Sequence, residues 1–330
     1  MLGTVGGEIV LNSFDLSPFA TGADLSSEAA RRTAGLIDQT LCETGFLLVD
    51  GHGVPDEIRA GYFAAMREFF ALPESDKEAI AIGLSDCHRG YVGFETESLD
   101  GMAGDLKETL DTGIDHAPDH PEVVAGTPLH GPNQWPDLLG FREAVEAYRE
   151  AMIEAVLRMQ RAMSMALGLD PFFIEGQPGE PMYHLRLIHY PPMETVTPEP
   201  GQLGCGAHTD YGTLTLLADD GNGGLQVCER SGEWVDVSVP PGKLVVNLGD
   251  LMAIWTNDRW VSNPHRVVNP PGVDRYSSPL FVEPAFHLEI SAIPTCVPAG
   301  EPPRHEPMVT GPYLLSRFDG THSYRNELLR

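Results

Sequence analysis

The tripeptide His208-Thr209-Asp210 sets an imidazole and a carboxylate two residues apart. In an extended strand, positions i and i+2 face the same side, so both groups point into one space. A further imidazole, His265, opens the later run HRVVN directly after Pro264. Two histidines and one carboxylate on one face of a metal leave coordination positions open, the arrangement associated with non-haem Fe(II) and O2 chemistry. H-x-D alone is a frequent tripeptide; the neighbouring strands and the distal histidine give it weight. A second set follows in Arg275-Tyr276-Ser277, which continues into SPLFVE. Arg275 and Ser277 share a face, and by the same parity so does Phe281, placed to line a substrate cavity. Arginine grips a carboxylate through its fork of N–H donors, and a neighbouring hydroxyl adds a hydrogen bond. An inward arginine beside a metal implies a buried carboxylate ligand, most simply that of 2-oxoglutarate. Tyr190, ending YHLRLIHY, is placed to offer its hydroxyl to the same group.

These residues need elements to hold them. Residues 27–43 carry apolar positions at helical spacing after a Ser26–Ser27 cap, and 45–50 (GFLLVD) read as a short buried strand. A second helix is predicted from Pro55 to about Leu72, a short one over 75–80, and the longest over 137–169. In the last of these, Met152, Val156, Met159, Met163 and Leu167 form a stripe that predicts core packing. Residues 115–136 show no period and read as an ordered loop. After Pro171 the pattern turns to short β-like runs at 183–190, 213–218, 224–229, 233–237, 243–248, 265–269 and 278–283. Such runs, separated by Gly and Pro, indicate an antiparallel sandwich or barrel preceded by helices.

Composition narrows the partners. A net charge of −27, with 21 Lys and Arg and no basic run, disfavours a nucleic-acid surface and favours a small-molecule substrate. The five cysteines are scattered with no C-x-x-C pair, which predicts a reducing, cytoplasmic setting. No basic and apolar leader opens the sequence, and no stretch reaches the roughly 18 apolar residues of a membrane span, so neither secretion nor a membrane is expected.

Taken together, HTDYGTLTLL, GLQV, GEWVDV, PGKLVVNLGDLM, WTN, NPHRVVNP and RYSSPLFVEP resemble the isopenicillin N synthase-like family of Fe(II)/2-oxoglutarate-dependent dioxygenases. IVLNSFDLSPF, GFLLVDGHGV, RGYVGFE, KETLDTG and GPNQWP extend the resemblance over almost the whole chain. It implies a mainly β fold with flanking helices: a distorted double-stranded β-helix, or jelly roll, behind a helical N-terminal portion. One catalytic domain over 1–330 is expected, with a helical and mixed portion to about 175, the jelly-roll core over about 180–292 and a C-terminal arm over 293–330. By resemblance, His208, Asp210 and His265 take the iron-ligand positions, and Arg275, Ser277 and Tyr190 those that hold the co-substrate carboxylate. The implied reaction uses Fe(II), 2-oxoglutarate and O2 to hydroxylate, desaturate or cyclise a small molecule, releasing succinate and CO2. Where many plant members carry asparagine two residues before the tyrosine, this chain has Ile188. LIHYPP and R-Y-S-S-P stand closer to bacterial and fungal members, including isopenicillin N synthase itself. That enzyme uses Arg-x-Ser for its own substrate's carboxylate, so an Fe(II) oxidase that needs no 2-oxoglutarate is the alternative.

The remaining polar residues carry weaker signals. Tyr91 and Glu95 of RGYVGFE, with Lys107 and Glu108 of KETLD, are candidates for the pocket mouth. His184 and His189 fall on opposite faces of one strand and cannot both point at the metal. His88, His116, His120 and His130 lie in loops, Arg186 reads as a buried ion-pair partner, and Asp250 as a turn acceptor. A silent binding protein is disfavoured by the intact triad and Arg-x-Ser pair, and a zinc hydrolase by the lack of a general base.

Overall fold

The Ser27 side chain accepts a hydrogen bond from the Ala30 N–H at 3.2 Å, capping the first helix, α1 (Glu28–Glu43). Pro55 immediately precedes α2 (Asp56–Phe70), and α3 (Glu74–Glu78) follows within a few residues. The computed structural model describes residues 3–5, 8–97, 104–196, 198–199 and 201–321. The loop expected over 115–136 contains one short helix, α4 (Pro121–Val124). The long helix α5 (Phe141–Ala166) starts later than its apolar period suggests, because Gly140 sits at φ 79°, a left-handed conformation that interrupts the helix. Two helices lie further along, α6 (Asp250–Trp255) and α7 (Thr310–Thr321), the latter in the expected C-terminal arm. Among the described residues no helix is long and apolar enough to cross a membrane.

The strands before the β-rich half are β1 (Gly3–Val5), β2 (Glu8–Val10), β3 (Ser13–Asp15), β4 (Phe46–Asp50), β5 (Gly90–Val92) and β6 (Glu108–Gly113). There follow β7 (Met182–Tyr190), β8 (Cys205–His208), β9 (Leu214–Asp219), β10 (Leu225–Cys228) and β11 (Trp234–Val237). The last are β12 (Leu244–Leu248), β13 (His265–Val267), β14 (Arg275–Glu283), β15 (Glu289–Ile290) and β16 (Met308–Val309). A major sheet runs β3-β4-β12-β9-β14-β7-β6-β5 and a minor sheet β1-β2-β11-β10-β13-β8, while β15 pairs with β16. Pairing is antiparallel apart from β3 with β4 and β2 with β11.

Alternation decides what each face of the major sheet does. One face carries Leu47, Val49, Leu185, Leu187, Leu216, Val246 and Leu280 into the main apolar core. Met152, Val156, Met159, Met163 and Leu167 of the long helical segment are buried in the same core, as their period predicts. Truncating any one of these methionines to alanine should cost about 2–5 kcal/mol. The opposite face turns toward the minor sheet. A second core of Phe46, Leu48 and Val245 from the major sheet with Leu225, Val227 and Val237 from the minor sheet closes one part of the gap. The rest of the gap between the sheets holds two cavities in which polar side chains stand among apolar walls. This is the double-stranded β-helix expected from the sequence, with its helices packed on the outside of the major sheet.

Candidate metal centre and active site

His265 and His208 are directly opposed in the antiparallel pair β13–β8, so both imidazoles enter the gap, with ring centroids 4.3 Å apart. His208 Nδ1 lies 2.8 Å from the Gly206 carbonyl and His265 Nδ1 3.3 Å from that of Asn263. A carbonyl can only accept, so each Nδ1 carries the proton and each Nε2 keeps its lone pair. Burial, and next the adjacent His208, push His265 down to about 4, which keeps it neutral and able to ligate at neutral pH.

Asp210 arrives differently from the simple strand argument. β8 ends at His208, and Asp210 lies beyond it, where β9 and β12 take over its orientation. Thr215 Oγ1 and Asn247 Nδ2 donate to Asp210 Oδ2 at 2.5 and 2.6 Å. Oδ1 is thereby left facing the histidines, 3.8 Å from His208 Nε2 and 3.6 Å from His265 Nε2. Burial alone would raise this carboxyl, but His265, His208 and the two hydrogen bonds bring it below its ordinary value. Separations that exceed a hydrogen bond, between groups whose other atoms are already bonded, fit one ion held among them. The N,N,O donor set suits Fe(II) with positions left open.

A cavity of about 70 Å³ runs from this triad between the sheets to Arg275, Ser277 and Tyr190. Arg275 is 0% exposed. Its Nε donates to the Gly223 carbonyl at 2.6 Å and its Nη1 to Ser277 Oγ at 3.0 Å. Nη2 has no hydrogen-bond acceptor, and Asp219 stands 3.7 Å away from it. A buried guanidinium N–H without an acceptor is costly, and a ligand carboxylate entering the cavity would satisfy it. Tyr190 meets Arg275 through its ring face, 4.9 Å from guanidinium carbon to ring centroid, and so supports the plane of the fork. Burial pushes the Tyr190 hydroxyl up to about 12, so it keeps its proton as a donor.

On the other side of the triad lies a second cavity, about 100 Å³, that Phe281 lines as parity predicts. Tyr91 and Glu95 do not reach it. Tyr91 is buried against Phe69, and its hydroxyl donates to Glu108 at 2.7 Å on the core side of the sheet. Glu95 is exposed at φ 59°, and its carboxylate accepts from Gln202 at 3.1 Å. Lys107 enters the cavity while Glu108, one residue on, faces Lys77 and His189 instead. The acidic lining residues that sequence reasoning passed over are Glu97, Asp105 and Glu283. Glu97 and Asp105 both pair with Lys107, and Arg186 bridges Glu97 to Asp111. Glu283 shares the strand parity of Arg275, Ser277 and Phe281, so its position was readable. It is 7% exposed, yet among the described residues no side chain donates to its carboxyl. Arg89 supplies a positive field there, but its Nη1 and Nη2 donate to the carbonyls of Cys87, His88 and Leu129.

Comparison with known proteins agrees with this architecture. Residues 11–138 match the N-terminal family described for a non-haem dioxygenase in morphine synthesis, and residues 181–284 match the 2OG-Fe(II) oxygenase superfamily. A 2-oxoglutarate-Fe(II) type oxidoreductase of Emericella nidulans is 37% identical over 328 residues, covering 95% of this chain and 92% of that protein. A homoarginine-6-hydroxylase of Arabidopsis thaliana is 33% identical over 79% of each chain. Among solved structures, a full-length Neurospora crassa protein in complex with α-ketoglutarate and thymine superposes with a TM-score of 0.81 at 29% identity, covering 96% of this chain and 98% of that one. The chain belongs to the 2-oxoglutarate- and Fe(II)-dependent oxygenases of the isopenicillin N synthase-like superfamily. It is an Fe(II)/2-oxoglutarate-dependent dioxygenase, and the oxidase alternative that dispenses with 2-oxoglutarate is not favoured.

Proposed function

We propose that His208, Asp210 and His265 hold the iron and that Arg275, with Ser277 and Tyr190, holds the distal carboxylate of 2-oxoglutarate. The observation that carries this reading is one cavity with a three-ligand cluster at one end and a buried, unsatisfied guanidinium at the other. The chemistry supplied at that site is O2 activation coupled to decarboxylation of 2-oxoglutarate to succinate and CO2. The protein's own residues orient and shield. Thr215 and Asn247 fix the carboxylate ligand, Gly206 and Asn263 fix the imidazoles, and Leu217, Leu225 and Val267 keep the co-substrate channel apolar. The portion to about 175, the core over about 180–292 and the arm from 293 act as one catalytic unit, since β5 and β6 extend the same major sheet as the core strands.

The substrate is a small molecule that presents a hydrogen-bond donor or a positive charge to Glu283. Lys107 and Arg186 are engaged by Glu97, Asp105 and Asp111, whereas among the described residues the Glu283 carboxyl has no side-chain donor. Phe281 supplies an apolar wall against which the body of the molecule packs. The acidic chain disfavours nucleic acid, and its five unpaired cysteines suit a reducing cytoplasm. The test is a succinate-release screen with Fe(II) and 2-oxoglutarate over amines, guanidines and N–H heterocycles, set against carboxylates of similar size. Turnover confined to the carboxylates would overturn the substrate assignment. Oxidation without succinate would overturn the co-substrate assignment.

A further inference from the structure

Among the described residues, the direct histidine–carboxylate hydrogen bonds are short. His184–Asp111, His189–Glu108, His189–Asp274 and His305–Asp258 measure 2.6, 2.7, 2.8 and 2.7 Å. The proposed iron ligands are spaced more widely, at 3.6 and 3.8 Å. A second cluster has the wider kind of spacing. His116 Nε2 and His120 Nε2 lie 3.4 and 3.3 Å from the same oxygen, Glu180 Oε2, with the two rings 4.3 Å apart. Charge-assisted hydrogen bonds settle at about 2.7–2.9 Å. Two ligand atoms each about 2.0–2.1 Å from a tetrahedral ion stand about 3.3–3.4 Å from one another.

The nitrogens themselves are the second observation. His116 is 7% exposed, and neither of its ring nitrogens has a hydrogen-bond partner; His120 Nδ1 is buried without one as well. Leaving three polar nitrogens unsatisfied in one spot is costly unless a ligand takes them up. The buried cluster His88–Asp111–His184 does not compete as a site, since both Asp111 oxygens are already bonded to Arg186 and His184. The long pair His287–Glu122, at 3.6 Å, lies at the surface with His287 68% exposed and has no third ligand group among the described residues.

We propose that His116, His120 and Glu180 form a second metal site, separate from the iron triad, that binds a borderline divalent cation of the Zn2+ type. Two imidazoles and a carboxylate suit such an ion, and the partly exposed sides of His120 and Glu180 leave a fourth position to water. The site joins the loop after β6 to the segment before β7; these two strands pair, and Lys107 just before β6 with His184 and Arg186 of β7 line the substrate cavity. Bound metal therefore staples the outer end of that wall and raises the stability of the folded chain.

The experiment uses the full chain carrying His208→Ala and Asp210→Ala, so that the triad no longer contributes, and titrates Zn2+ alone. Stoichiometric binding of a single ion with a rise in Tm is expected. Adding His120→Ala and Glu180→Gln, both at partly exposed positions, should abolish the Tm rise. It should also weaken binding beyond the roughly 10–100-fold typical of losing an outer-shell partner. Absence of stoichiometric binding in the triad variant, or unchanged affinity after the two further substitutions, would overturn the proposal. Neither result bears on the iron and 2-oxoglutarate assignment.

Discussion

Replacing Arg275 by leucine removes a guanidinium that is wholly buried, bonded at Nε and Nη1 and unsatisfied at Nη2. Losing one member of a buried, hydrogen-bonded charge pair costs about 2–5 kcal/mol, so 2-oxoglutarate should bind about 30- to 4,000-fold more weakly. Ser277→Ala removes one hydrogen bond to a charged group, about 1.5–3 kcal/mol, and should be the milder change. Arg275→Lys keeps the charge but loses the fork and should fall between wild type and leucine. Leucine also leaves Asp219 without its cation; burial already raises that carboxyl, so it can take up a proton rather than remain as a stranded charge. The assay is an anaerobic 2-oxoglutarate titration of Fe(II)-loaded protein, followed by the visible charge-transfer absorption of the chelate. Circular dichroism confirms the fold, and iron affinity should hold because Arg275 is not among the ligand cluster. A folded Arg275→Leu variant that binds 2-oxoglutarate as tightly as wild type would refute the reasoning.

Three further outcomes are expected. Thr215→Val or Asn247→Leu frees Asp210 Oδ2 and should weaken iron binding by roughly 10–100-fold, read by equilibrium dialysis; unchanged retention would show that neither residue orients the ligand. Zn(II), Co(II) and Ni(II) should displace Fe(II) and inhibit, since N/O sites bind several of these ions at least as well; O2-dependent turnover with Zn(II) alone would contradict the mechanism. In the metal-free chain, burial, with the nearby Asp210 carboxylate, raises Glu283 from 4.5 to about 8; a cation at the triad or on the substrate favours its ionised form. Its contribution to stability is therefore fully present below pH 4.5 and lost as pH rises through about 8. Denaturant unfolding of metal-free Glu283→Gln should lack that decline, and a variant with the wild-type pH profile would remove Glu283 as its source.

Strand parity made much of the site legible. Arg275, Ser277 and Phe281 face the cavity because β14 is regular over that span, and the same count reaches Glu283. His208 and His265 were readable as residues, but their direct opposition depends on the β13–β8 register, which shifts between His265 and Val267. Strand alternation does not account for the position of Asp210: it lies beyond the strand, and Thr215 and Asn247 aim it. Tyr91 and Glu95 fail because β5 is only three residues long and a left-handed turn at Glu95 follows it. Glu97 and Asp105 meet at Lys107, and no local period marks such a meeting. The same holds for Glu180, which meets His116 and His120 across a long stretch of intervening chain.

The most direct test of the central claim is iron content and chelate absorption in His208→Ala, Asp210→Ala and His265→Ala, each compared with wild type without O2. Wild type should bind a single Fe(II) and develop the charge-transfer band with 2-oxoglutarate. Each variant should keep its circular dichroism and lose the band and turnover, because three protein ligands are what the facial site requires. Any of the three that retained full iron, the band and full activity would contradict the assignment of its residue to the metal.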